Sequence, residues 1–194
     1  MKDMIRRTAT VAFAACGLAV SGWSIASCAW PNPDLYCLAV RLADRREFDK
    51  AIPIWEDLSK QGDCDADWQL GLVHFMGVGG NPQDVAQAMT YWNSAANRGQ
   101  PRAQLALGEV YFRNPEDWIL CSQECGGIAA DPVAAYKWYL IAKRNATYSW
   151  DKDYLRRVLP LVVAGLTDEQ KAAAEAAAAA WQPVPALCKA RKST

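Results

Sequence analysis

One histidine in 194 residues is the first thing this chain is short of. That scarcity removes most metal and nucleophile–base chemistry at once. His74 lies among Val73, Phe75 and Met76, with no Ser or Cys nucleophile at a recognisable spacing. It reads as a packed ring rather than a general base. The cysteines form no paired C-x-x-C, so no metal is expected, and nothing calls for a cofactor. A surplus of positive charge is also missing. Lys+Arg and Asp+Glu stand at 21 each, which argues against a nucleic-acid partner. Ser149-Trp150-Asp151-Lys152 matches an S-x-x-K acylation motif, but the K-T-G strand and S-D-N loop that such chemistry needs are absent. Ser149 stands just before a predicted helix and reads as its N-cap. No spacing pairs Glu109, Glu116 or Glu124 into a glycosidase dyad. The chain is therefore expected not to be an enzyme.

What is present begins with a targeting segment. Lys2, Arg6 and Arg7 precede an uncharged run, Thr8 to Ser27, rich in Ala, Val and Gly. This is the layout of a secretory signal over residues 1–27. Ile25-Ala26-Ser27-Cys28 resembles a bacterial lipobox, in which Cys28 would be acylated. Acylation at Cys28, plain signal cleavage and a retained anchor helix all stay open, although Gly, Ser and Thr make the run a poor membrane span. Export to the periplasm or beyond suits the seven cysteines. Residues 28–33 read as a linker.

The rest of the chain repeats itself. An Ala followed four residues later by a Trp occurs three times, as Ala51/Trp55, Ala88/Trp92 and Ala134/Trp138. The pairs Leu70-Gly71 and Leu107-Gly108 lie 37 residues apart, as do Ala66 and Ala103, and Gly62 and Gly99. A period of this size signals stacked helical hairpins. The spacing predicts helices over 34–44 and 49–60, then 66–76 and 82–97, then 102–113 and 131–143. Gly62, Gly99 and Asn145 are the expected helix stops. No strand signal interrupts this pattern. Residues at i and i+4 share a helix face, so the Ala/Trp pairs are expected in the core. The third unit is 9 residues longer between Leu107-Gly108 and Trp138 than the second is between Leu70-Gly71 and Trp92. The extra length falls around 114–130 and carries Cys121 and Cys125, which could close a small ring. Cys37 and Cys64 lie on helices that a hairpin array would make neighbours, and are expected to pair. Cys188 would then keep a free thiol if Cys28 is acylated.

The pattern Ala66…Leu70-Gly71…Gly77-Val78-Gly79…Asp84…Ala88…Trp92…Ala95-Ala96…Gly99 resembles one unit of the Sel-one-like repeat family, a relative of the tetratricopeptide repeat. The stretch Ala103…Leu107-Gly108…Tyr111…Asp131…Ala134…Trp138-Tyr139…Ala142 is similar, and Leu166–Gln170, the Ala-rich run and Trp181 look like a closing helix. The resemblance spans about 34–181. It implies an all-α, right-handed α-solenoid of about three hairpin repeats with C-terminal capping helices. It further implies a scaffold or adaptor whose first helices line a concave face. On that face the residues expected to meet a partner are Tyr36, Val40, Trp68, Leu72, Leu105 and Glu109. The partner expected is another envelope protein or a peptide, with an envelope enzyme or cell-wall glycan binder as the competing reading. Asp151 to Ala164 is expected to form a helix kinked at Pro160. Thr167-x-x-Gln170 reads as a capping box for the last helix. Residues 182–194, basic at Lys189, Arg191 and Lys192, read as a mobile tail, and Cys28 as a membrane anchor point.

Overall fold

The computed structural model describes residues 34–113, 127–184 and 188. Among them are eight α-helices and no strand. They are α1 (Leu35–Asp44), α2 (Phe48–Lys60), α3 (Cys64–Met76), α4 (Val85–Asn97), α5 (Pro101–Phe112), α6 (Pro132–Asn145), α7 (Ser149–Ala164) and α8 (Asp168–Ala180). Each of α1 to α6 packs on the next, and α8 returns to α6. The array is an α-solenoid of hairpins α1–α2, α3–α4 and α5–α6, closed by α7 and α8.

Local chemistry explains most helix starts. The Asp34, Asp63, Asp84 and Asp131 side chains each accept from a backbone N–H in the first turn that follows. Gln100 does the same for α5 through the Ala103 N–H. At α8 both halves of the capping box form: the Gln170 N–H donates to Thr167 Oγ1, and the Thr167 N–H to Gln170 Oε1. Ser149 departs from expectation. It is the first residue inside α7, and Tyr148 holds the cap position without a side-chain capping bond. Of the three expected stops, Gly62 and Gly99 take left-handed φ values of 84° and 98°. Asn145 instead ends α6 as a helical residue, and Ala146 follows in extended conformation.

Trp55 and Trp92 are fully buried beside Ala51 and Ala88. In the third unit the register shifts by one residue. A Cβ on Gly71 would lie 2.1 Å from Trp92 Nε1, and one on Gly108 would lie 2.4 Å from Tyr139 Cε1. The ring that fills the third unit is therefore Tyr139, with Ala135 four residues before it, both fully buried. Ala134 is only half-buried. Trp138 is buried too, against a different cluster. Two backbone bonds fix this alignment. The Asp84 N–H donates to His74 O at 2.7 Å, and the Asp131 N–H to Tyr111 O at 3.0 Å. His74 and Tyr111 are 37 residues apart, so the insertion between them and the aspartates is ten residues, not nine. Most of it, with Cys121 and Cys125, lies outside the described residues.

The expected Cys37–Cys64 bridge is not formed. Cys64 pairs with Cys188, 124 residues away, across a Cα–Cα distance of 5.3 Å. Cys37 is also disulfide-bonded, but not to Cys64. Cys188 is thus not the free thiol, and the segment after α8 is tied down at that point. Cys64 opens α3 and belongs to the cluster that holds Ala95 and Ala96 near the end of α4, whereas Cys37 belongs to a different one. Cys28 and the rest of 1–33 lie outside the described residues. No helix among the described residues is long and apolar enough to cross a membrane.

Candidate partner-binding surface

The six residues expected at the surface separate into two groups. Tyr36 and Val40 on α1 and Leu105 on α5 are core residues. Tyr36 even uses its hydroxyl inside, accepting from Gln69 Nε2 at 3.1 Å. They sink because each first helix is covered by the unit that follows it. Trp68 and Leu72 on α3 and Glu109 on α5 keep partial exposure. The structure does bring Trp68 into a cluster, around a residue that sequence reasoning missed.

That residue is Arg102, in the first turn of α5. Its guanidinium lies 5.1 Å from the Trp68 ring and 5.1 Å from the Tyr148 ring. One cation therefore joins α3, α5 and the turn into α7. Burial lowers its pKa, while Tyr36, Asp151, Tyr148 and Asp65 act in the other direction. Tyr148 and Trp150 stand well exposed, at 44% and 48%. Trp150 stacks on Tyr154 at 6.0 Å with planes 11° apart. Tyr154 is itself buried beside Glu109 and Tyr139, and burial pushes its hydroxyl pKa up. Asp151 is 1% exposed, and neither carboxylate oxygen has a hydrogen-bond partner among the described residues. Burial pushes its pKa up to about 6, with Arg102 pulling the other way.

The run Tyr148-Ser149-Trp150-Asp151 is legible in the sequence as two large aromatics at a helix start. Reading Ser149 as an N-cap left the two aromatics beside it unassigned. Arg102 had a quieter signal, lying 37 residues after Asp65 and so at the same helix position. His74 is a packed ring, stacked on Tyr91 at 5.5 Å with planes 12° apart.

No family model matches the chain. Among solved structures it superposes on a protective antigen of uropathogenic Escherichia coli displaying an SLR fold. The TM-score is 0.59 at 24% identity, over 75% of this chain and 29% of that one. This chain has the Sel-one-like repeat fold. A shorter likeness points the same way. Over 69 residues the chain is 32% identical to HRD3A of Arabidopsis thaliana, an ERAD-associated E3 ubiquitin-protein ligase component. That match covers 36% of this chain and 10% of that protein. The chain thus matches less than a third of the length of either protein.

Proposed function

We propose that this Sel-one-like repeat protein is a non-catalytic scaffold in the bacterial cell envelope that binds a protein or peptide on the face shared by α3, α5 and the start of α7. The observation that carries the proposal is the Trp68–Arg102–Tyr148 stack beside exposed Trp150. Large aromatics and arginine are the side chains that supply most binding energy in protein interfaces. Here they are held by neighbouring helices, so little ordering cost remains for binding.

Affinity capture from membranes tests this, with the native chain compared against Tyr148→Ala and Trp150→Ala. Both positions are exposed, so helicity should stay unchanged while a specific partner is lost. Equal capture by all three chains would remove this face from the binding surface. Capture of cell-wall glycan fragments in place of protein would favour the glycan reading, since exposed aromatic rings also stack on sugars.

The proposal of export rests on Lys2, Arg6 and Arg7 before the uncharged run, and that of anchoring on the lipobox at Cys28. Stable anchoring needs more than one acyl chain. The intact mass of the mature protein tests both. A mass that starts at Cys28 with acyl increments supports an anchor, and one that starts at Ser27 without them leaves a periplasmic scaffold.

A further inference from the structure

The Cys64–Cys188 disulfide joins the second hairpin to the chain beyond the last helix, and the segment it holds is docked at several other points. The Val184 N–H donates to Asn97 O at 2.9 Å, and the Cys188 N–H to Arg98 O at 3.4 Å. These carbonyls belong to the exposed end of α4, where no further helical turn can satisfy them. Pro183 lies over Gly99. Trp181 packs against the cluster that holds Ala95 and Ala96, with the Arg144 guanidinium 5.9 Å from its ring. The described residues 181–184 and 188 therefore cover the α4 end of the joint between the second and third units.

The two sulfurs are not equivalent. Cys188 is partly exposed, whereas Cys64 is buried at 2% as the first residue of the 13-residue α3. A thiolate at a helix N-terminus is stabilised by the helix dipole. Asp63, Asp65 and Asp67 stand nearby and oppose this, but each is already engaged. Asp63 accepts from the Asp65 and Ala66 N–H groups, Asp65 accepts from Gln100 Nε2, and Asp67 pairs with Arg98. Cys188, the more exposed sulfur, is the one that an incoming thiol reaches, which leaves Cys64 as the departing sulfur.

We propose that Cys64–Cys188 is a redox latch, which a dithiol opens without unfolding the solenoid, releasing the segment around Val184 and Cys188 and uncovering the end of α4. A thiolate of the dithiol attacks Cys188 Sγ, the S–S bond breaks, and its electron pair leaves on Cys64 Sγ. The second thiol of the reductant then attacks the sulfur bound to Cys188 and frees that thiolate. Two electrons pass to the protein disulfide, the dithiol becomes a disulfide, and its two protons end on the two cysteines. The proposal is independent of the partner and of the face it uses.

The experiment uses the full chain with limiting dithiothreitol, alkylation mapping, circular dichroism and hydrogen exchange. Cys64 and Cys188 should be alkylated while helicity is kept, and the Val184 amide should exchange at least about tenfold faster. The Cys188→Ser chain should show the same faster exchange with no reductant. The proposal is overturned if the bond opens only together with loss of helicity, which would make it a structural staple. It is equally overturned if Val184 stays protected in Cys188→Ser, because the bond would then hold nothing in place.

Discussion

The second and third hairpins satisfy the same buried position with different chemistry. In the second, Asp67 accepts from Ser59 and Ser94 and pairs with Arg98, whose Nη1 also donates to Gly62 O at 2.8 Å. In the third, the position 37 residues later is Gln104. Its Nε2 donates to Ala96 O at 3.0 Å, and its Oε1 accepts from Asn145 Nδ2 at 3.0 Å. Ser59 and Ala96 are also 37 residues apart, and Arg98 and Asn145 each follow the core ring of their unit, Trp92 or Tyr139, by six residues. Both joints tie a first helix to the preceding hairpin and to its own second helix. One does so with a buried ion pair and the other with neutral amides. The repeat preserves the geometry of a satisfied polar contact, not the residue types. On the first described helix the corresponding residue, Leu35, has no preceding hairpin described against it and is 59% exposed.

The comparison breaks most visibly at Asp67. Asp67→Ala leaves Arg98 buried without its partner and should cost about 3–5 kcal/mol in urea unfolding. Gln104→Ala should cost about 1–3 kcal/mol, because only neutral groups are orphaned. Equal losses at the two sites would show that the charge adds nothing to the second joint.

Asp151 should give a gain instead. Its folded pKa of about 6 lies above the ordinary 3.8, so the folded state holds the proton more tightly than the unfolded one. Stability attributable to this group is therefore present at low pH. It is lost as pH rises from about 4 to 6 and is flat above that. Asp151→Asn should remove this slope and raise stability at pH 7 by about 2–3 kcal/mol. Thermal unfolding of both chains across that pH window checks it, and a parallel pair of curves would mean the carboxylate is solvated.

The two glycines sharpen the register. Gly71→Ala and Gly108→Ala should each cost about 1–3 kcal/mol by forcing a methyl group into Trp92 or Tyr139. The Gly108→Ala loss should shrink in a Tyr139→Leu background but not in a Trp138→Leu one. The reverse outcome would restore the Ala134/Trp138 register. The smallest effect is expected at Arg156–Asp153, an exposed pair within α7, where Asp153→Ala should change stability by less than about 1 kcal/mol.

The register slip shows where sequence reading ran out. Trp138 and Tyr139 are adjacent large aromatics, and matching Trp to Trp chose the wrong one. In the first two units burial would have separated such neighbours. Here it does not, because α6 is covered by α5, α7 and α8 and buries Trp138 and Tyr139 alike. The spacing Asp84 to Ala88, against Asp131 to Ala135, held the right answer. The surface residues failed in a related way. Tyr36, Val40 and Leu105 have the helical spacing of an exposed stripe, but spacing alone does not say which unit covers which.

The sequence by itself determined the helices, the repeat period, the caps at Gly62, Gly99 and Thr167-Gln170, and the small-against-large packing of the first two hairpins. These depend on residues close in the chain or at a fixed period, so local propensity and spacing suffice. The tertiary structure alone decided the Cys64–Cys188 pairing, the Trp68–Arg102–Tyr148 stack and the isolation of Asp151. Each of these joins or separates groups tens of residues apart, at distances set by how hairpins stack, and no period in the chain encodes them.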